Sequence, residues 1–476
     1  MGDLGAIFKA YDVRGLVPGQ LDEATARDIG AAFCAEVVGA SGESAVVVGH
    51  DMRASSPGLA TAFAAGCRDG GADVVMIGLA STDLLYFASG SLGLPGAMVT
   101  ASHNPAGYNG LKLCRPGAAA ISETTGLGAI RSRIETGDLP SHRSPAGQQG
   151  DGLGTNTTPG GGLKNSDQLA AYAAYLHELV AVTGHRLRVV VDAGNGMAGL
   201  TAPAVLGPLD LDLIPLFFEL DGTFPHHEAN PLDAANLVDL QAAVRLHQAD
   251  LGLAFDGDAD RCFAVDERGT AVSPSALAAL IAVRTLAGEP GARIIHNVIT
   301  SRAVPEVILR SGGVPVRTPV GHSLIKATMA ETNAAFGGEH SGHYYFRDFW
   351  FADSGMLAAL HLLAARAATD VSVSQLVAQY DPYASSGEIN VTVVDPTAVL
   401  HQVLTAYGQR SDVTLDRLDG LTVSSDRWWF NVRSSNTEPV MRLNVEADTE
   451  ETMAARRDEV LALMAPPGTP KTIANR

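Results

Sequence analysis

The sequence predicts an α/β protein of four domains, three of them α/β and the last a smaller α+β unit. Three observations predict it. The chain has 476 residues, enough for three or four domains at roughly 100–200 residues each. Short apolar runs alternate with stretches of helical spacing over most of the length, which implies sheets that are largely parallel and covered by helices on both faces. Beyond about residue 380 that alternation stops, and strand runs and helices no longer take turns.

The elements follow in order. In a first domain over 1–145, residues 11–15 read as a polar loop, and 22–38 have helical spacing that stops at Gly39. Residues 45–49 form an apolar strand run, 57–68 a helix with proline near its start, and 72–77 another strand. The run 95–99 reads as a short buried strand, so Ser102 falls where strand becomes loop. Residues 137–164 are rich in glycine, serine and proline and read as a flexible linker. A second domain, 165–255, opens with a helix at 172–182 and a strand at 187–192. That strand enters the glycine loop 193–199, which lacks both the dinucleotide fingerprint and the lysine of a P-loop and therefore reads as a tight turn. A third domain, 256–375, has strands at 292–295 and 314–316 and helices at 301–310 and 354–366. The last, 380–476, has strands at 388–394, 428–432 and 440–445 with helices at 396–406 and 450–464.

Composition excludes several function classes. Lysine and arginine number 33 against 52 acidic residues, a formal charge of −19, with no basic block. Nucleic acid and anionic membrane surfaces are therefore not expected partners. An acidic protein that handles an anionic substrate must gather its few basic residues locally. The four cysteines, Cys34, Cys67, Cys114 and Cys262, lack a CxxC pair and read as reduced thiols of a cytoplasmic protein. The N-terminus has no signal-peptide core and carries Ala6 where a myristoylation signal needs serine or threonine. The most apolar helix, 356–368, is broken by His361 and Arg366 and is too short to span a bilayer.

Four loops carry chemistry. Thr100-Ala-Ser-His-Asn-Pro105 places the Ser102 hydroxyl beside His103, with Lys112 ten residues on; proline and glycine after it stop a helix. A hydroxyl on a fixed loop with proton carriers nearby is a candidate nucleophile. Asp256-Gly-Asp-Ala-Asp-Arg261 follows an apolar run, and carboxylates at alternate positions of a tight loop can converge on one hard cation. Glu267 stands at the twelfth position, as in an EF-hand. Against that reading, Arg261 occupies the glycine position and the flanks read as strands. All-oxygen ligands favour Mg²⁺ over zinc. Gly337-Gly-Glu-His-Ser-Gly-His343 offers Glu339 and Ser341 for vicinal sugar hydroxyls and His343 as a proton shuttle near neutrality. Arg433-Ser-Ser-Asn-Thr437 offers a planar fork to phosphate, with Ser435, Asn436 and Thr437 adding neutral donors. Each loop alone is matched by an ordinary turn; the combination carries the weight.

Together the four loops resemble the α-D-phosphohexomutase family, whose loops read T-A-S-H-N-P, D-G-D-x-D-R, G-E-x-S-G-H and R-x-S-N-T in this order over nearly the whole chain. The sugar loop with His340 and the run after it are most similar to the family's bacterial phosphomannomutases. The resemblance implies three α/β/α domains with mixed sheets and a mobile C-terminal domain shaped like the TATA-binding protein, around a central active-site cleft. It implies a phosphoserine at Ser102, with Mg²⁺ held by Asp256, Asp258, Asp260 and that phosphate. It further implies Lys112 and His343 as acid/base groups, Arg14 and His103 as active-site residues, Arg261 near the phosphate, and a hexose 1,6-bisphosphate as intermediate. The implied activity interconverts mannose 6-phosphate and mannose 1-phosphate, with phosphoglucomutase activity as an alternative. Phosphoglucosamine mutase and a phosphosugar-binding protein without turnover are further alternatives. The expected partner is a small phosphosugar, and the expected state a monomer or homodimer. Two departures stand out. Relatives usually carry a basic residue where this chain has Pro319, with Arg317 and Lys326 the cations nearest to replace it, and the glycine-rich linker is longer than is typical.

Overall fold

The computed structural model describes residues 3–140, 161–434 and 440–464. Four sheets organise them. The first runs in the order Val13–Leu16, Tyr108–Arg115, Gly96–Val99, Ala45–His50, Asp73–Leu79, Leu163–Asn165. Its central strands are parallel, with Val46 opposite Val74 and Val48 opposite Ala97. Valine-rich runs are what a strand buried on both faces requires. Helices Glu23–Phe33 and Ser56–Asp69 cover one face and lie almost in backbone contact with each other. A Cβ on Gly30 would sit 2.1 Å from the Phe63 carbonyl oxygen, and one on Gly66 would sit 1.9 Å from that of Arg27.

Two expectations change here. The loop expected at 11–15 contains strand Val13–Leu16, antiparallel to Tyr108–Arg115. The stretch read as linker ends in the edge strand Leu163–Asn165, parallel to Asp73–Leu79. Three residues are too few to show a period, and the glycines before them serve close approach: a Cβ on Gly161 would lie 1.8 Å from the Ala72 carbonyl oxygen. Most of that linker, 141–160, lies outside the described residues.

The second sheet is ordered Ala271–Val272, Cys262–Asp266, Leu251–Phe255, Leu187–Asp192, Leu211–Leu216. This corrects the boundary expected at residue 256. The acidic loop Asp256–Arg261 does not open the third domain; it joins two antiparallel neighbours of the second sheet, Phe255 pairing with Cys262. Strands on both sides of the loop also exclude the EF-hand reading. The glycine loop after Asp192 is the expected tight turn, with Gly194 and Asn195 both at positive φ.

The third sheet is ordered Val314–Thr318, Arg293–Asn297, Phe336–Gly338, Tyr344–Phe346, Ala352–Asp353. The fourth, Ala384–Val391, Met441–Ala447, Trp428–Ser434, Leu421–Ser424, Thr414–Asp416, is antiparallel throughout. Helices Pro396–Tyr407 and Glu450–Met464 pack on it through Val399, Val403, Met453 and Val460. The architecture is thus the expected one of three α/β units on mixed sheets and a C-terminal α+β unit.

Apolar packing divides the molecule unequally. One continuous core joins residues of the first three units, Met98, Val191, Phe255, Leu280 and Leu360 among them. The first unit adds a second core drawn from its own residues, and the fourth unit stands apart, its described core residues all falling within 384–464. All four cysteines are buried and free. Among the described residues no helix is long and apolar enough to cross a membrane.

Candidate active site

In each of the first three units, chemistry emerges at the carboxyl end of a parallel strand, where loops gather over such sheets. Ser102 follows strand Gly96–Val99, Asp256 follows Leu251–Phe255, and Glu339 follows Phe336–Gly338.

Ser102 sits at φ +48°, a left-handed conformation that a non-glycine residue keeps only where its surroundings over-determine it. They do. Its N–H donates to Thr100 Oγ1 at 2.9 Å. The buried Arg53 guanidinium donates to the carbonyl oxygens of Ser102, Asn104, Pro105 and Tyr108 at 2.6–3.0 Å. Arg53 is itself held 3.3 Å from Asp51 and lies over the Phe224 ring. The serine hydroxyl then points across the domain boundary and donates to Asp256 Oδ2 at 2.8 Å, with His103 Nδ1 at 3.2 Å. Burial first, then the charges of Arg261 and Arg14, depress the His103 imidazole well below its usual range, so it is neutral at neutral pH.

The three aspartates are buried together, all at 1% exposure or less. One oxygen of each lies within 4.8 Å of the others. Burial pushes the Asp256 carboxyl up, against the pull of Arg261, and Asp260 and Asp258 push the same way. Among the described residues, Asp258 Oδ1 and Asp260 Oδ1 have no hydrogen-bond partner. Buried, mutually repelling carboxylates with unused oxygens fit a hard divalent cation. Lys112 supplies part of the missing charge: its Nζ lies 2.7 Å from Asp258 and 2.5 Å from Asp260. Burial opposes the ammonium, but the two carboxylates outweigh it and raise its pKa. Arg261 is engaged within its own loop. Its Nε and Nη2 both donate to Asp256 Oδ2, at 2.8 and 2.7 Å, so it neutralises a carboxylate of the acidic loop.

The loop from the third unit docks on this edge. Arg261 and His343 are bridged, and the Cys262 N–H donates to the Gly342 carbonyl at 3.2 Å. His343 lies 3.8 Å from Asp260 and 3.9 Å from Asp353, and its Nδ1 is 3.0 Å from Ser341 Oγ. Glu339, expected to grip sugar hydroxyls, is engaged by the protein's own donors. It is buried, accepting from Asn297 Nδ2 at 2.9 Å and Tyr345 OH at 2.6 Å. A cavity of about 510 Å³ opens over the assembly, lined by Ser102, His103, Lys112, Arg14, Arg261 and His343. Arg14 reaches Asn104 Oδ1 and Asp12 at 2.5 Å.

Arg433 lies outside that cavity. Its side chain is 4% exposed, paired with Glu388 at 2.7 Å and bonded to Asn444 Oδ1 at 3.1 Å. Burial lowers the pKa of His340 on the sugar loop, with Glu388 and Arg433 acting on it in opposite senses. Arg433 is therefore near enough to the sugar loop for its charge to act on His340. Ser435, Asn436 and Thr437 lie outside the described residues. Both cations nearest Pro319 are engaged in pairs of their own. Arg317 binds Asp416 and Thr422 of the fourth unit, and Lys326 pairs with the buried Asp353 at 2.6 Å over the Tyr86 ring.

The four domain models of phosphoglucomutase/phosphomannomutase match residues 5–140 (α/β/α domain I), 170–269 (domain II), 273–383 (domain III) and 388–463 (C-terminal domain). A phosphomannomutase of Salmonella montevideo is 38% identical over 470 residues, covering 96% of this chain and 98% of its own. The chain belongs to the phosphoglucomutase/phosphomannomutase family. A phosphomannomutase/phosphoglucomutase of Pseudomonas aeruginosa is 39% identical over 449 residues, 94% of this chain and 92% of that one. A crystal structure of a phosphoglucomutase/phosphomannomutase family protein from Burkholderia thailandensis superposes with a TM-score of 0.87 at 33% identity, over 99% of both chains. The matched domain II, ending at 269, includes the acidic loop, in agreement with the sheet.

For this family member, sequence reasoning missed Asp51, Arg53, Thr82 and Asp353. Thr82 Oγ1 donates to Asp258 Oδ2 at 2.6 Å. The signal for Asp51 and Arg53 was present: both stand just past the carboxyl end of strand Ala45–His50, where a parallel sheet places its functional side chains.

Proposed function

We propose that this protein is a phosphomannomutase, interconverting mannose 6-phosphate and mannose 1-phosphate through a phosphoserine at Ser102 and a sugar 1,6-bisphosphate. The observation that carries the reading is the 2.8 Å contact between the Ser102 hydroxyl and Asp256. It sets a nucleophile from one domain on a carboxylate cluster from another. The C1 and C6 oxygens of one hexose are too far apart for direct transfer, so a carrier is needed. In the first half-reaction the Ser102 Oγ–P bond breaks as P bonds to the free sugar hydroxyl, whose proton departs; in net terms Ser102 regains that proton. The second half-reaction runs the same step backwards from the other phosphate.

Asp256, Asp258 and Asp260 would hold Mg²⁺, which neutralises charge on the transferring phosphoryl group when bound. Lys112, held as its ammonium, adds positive charge, and we assign the hydroxyl proton to His343. Arg14 lines the cavity and braces the serine loop through Asn104. Arg433 anchors the phosphate that is not reacting, and Ser341 on the sugar loop orients His343.

Mannose 1-phosphate, glucose 1-phosphate and glucosamine 1-phosphate should be assayed with Mg²⁺ and catalytic hexose 1,6-bisphosphate. Turnover of mannose 1-phosphate is expected. Glucose 1-phosphate turnover is the second reading, favoured by the dual name of the Pseudomonas aeruginosa relative. Turnover of glucosamine 1-phosphate alone, or of none, overturns the proposal.

A further inference from the structure

The phosphate anchor is already engaged. Glu388, on strand Ala384–Val391 and 21% exposed, sets Oε2 at 2.7 Å from Arg433 Nη2 and Oε1 at 3.2 Å from Arg442 Nη1. The three residues belong to adjacent strands. Arg433 pairs with Arg442 across one ladder, and Glu388 with Asn444 across the next. An irregularity between Ser385 and Glu388, with Gly387 at φ +65°, bends the strand at this point. The Gly387 carbonyl oxygen accepts from Asn444 Nδ2 at 3.4 Å, so the Asn444 amide that holds Arg433 also holds the bend beside Glu388. Two guanidinium groups closing on the two oxygens of one anion is the arrangement that recognises a phosphate.

We propose that Glu388 is an internal competitor of phosphate, which occupies Arg433 while no phosphate is bound and sets how readily phosphate leaves. This rests on the reading of Arg433 as the anchor. A guanidinium as buried as that of Arg433 is costly without a counter-charge, and Glu388 provides one. An arriving phosphate displaces part of this contact, so its affinity is the difference between two ion pairs. A mutase that turns its bisphosphate around must release the anchored phosphate in every cycle. Binding tighter than that step tolerates lowers KM without raising kcat. Glu388 is thereby a positioning and affinity-setting residue, not a catalytic one.

The test measures inorganic phosphate and mannose 6-phosphate binding to the intact protein by calorimetry, alongside steady-state kinetics. Glu388→Gln keeps the shape and removes the charge. It should bind both ligands roughly tenfold more tightly, the worth of one charge-assisted contact, with kcat falling as KM falls. Glu388→Asp, which keeps the charge, should stay closer to the parent protein than Glu388→Gln does. Unchanged or weaker phosphate binding in Glu388→Gln, with an unchanged melting temperature, overturns the proposal. If Glu388→Gln loses stability, equal tightening in Glu388→Asp overturns it as well, since charge would not be the cause. Arg433→Ala separates the two readings: phosphate affinity equal to that of the parent protein would remove Arg433 as anchor, whatever Glu388 does.

Discussion

Ser102 holds a conformation that serine does not choose, and its hydroxyl points at a carboxylate of another domain. Ser102→Ala removes one oxygen from a loop held by backbone contacts. Mutase flux should therefore fall to background while the unfolding free energy stays within about 1 kcal/mol of the parent protein's. Intact mass would show the loss of any bound phosphate, and surviving flux would count against the covalent scheme. His343→Ala should lower kcat by about 10²–10⁴-fold, the usual worth of a positioned proton carrier. An unchanged kcat would return the role to Lys112. Arg433→Ala should raise KM roughly 10–100-fold, as expected for one charged contact, with kcat much less affected.

At the level of elements, the helix pair Glu23–Phe33 and Ser56–Asp69 depends on two glycines that let backbones touch. Gly30→Ala or Gly66→Ala should push the pair apart at about 1–3 kcal/mol each, measured by denaturant unfolding. Neither should alter KM, because neither helix lines the cavity. The strands and loops that carry Ser102 and Asp256 were legible in the sequence because each motif is contiguous and follows an apolar run; the loop of His343 was legible as a motif, but the strand Phe336–Gly338 before it is too short and glycine-rich to read. Glu339 was legible as a residue but not as a contact, since its partner Asn297 comes from another strand. Arg53 acts on carbonyl oxygens, which leave no trace in side-chain pattern. The boundary at 256 was misplaced for a similar reason. The return strand Cys262–Asp266 is as apolar as its neighbours, and nothing local says which sheet it joins.

Across the whole molecule, Asp83 ties three domains together. It is 1% exposed and accepts from Ser81, from Tyr172 of the second unit at 2.6 Å and from Ser354 of the third at 2.7 Å. Burial raises its pKa to about 6, against those hydroxyls. The folded state thus binds this proton more tightly than the unfolded one. The contribution of Asp83 to stability should fall as pH rises from about 4 to about 6, by about 3 kcal/mol at 1.36 kcal/mol per unit. Asp83→Asn should flatten that slope in melting curves. The fourth unit is attached by polar contacts: Arg302 to Asp448 and the Asp426 carbonyl, Arg317 to Asp416, and the Val320 N–H to Asp419. Arg302→Ala should loosen that attachment and enlarge the radius of gyration in small-angle scattering, leaving the melting of the other three units unchanged.

The unequal division of apolar packing sets what can be exchanged between relatives. A chimera that swaps any of the first three units would bring together halves of a shared interior shaped for other neighbours. Residues 384–464 carry their own interior with them, so a graft of that segment from a homologue needs only a matching polar seam to yield a working hybrid.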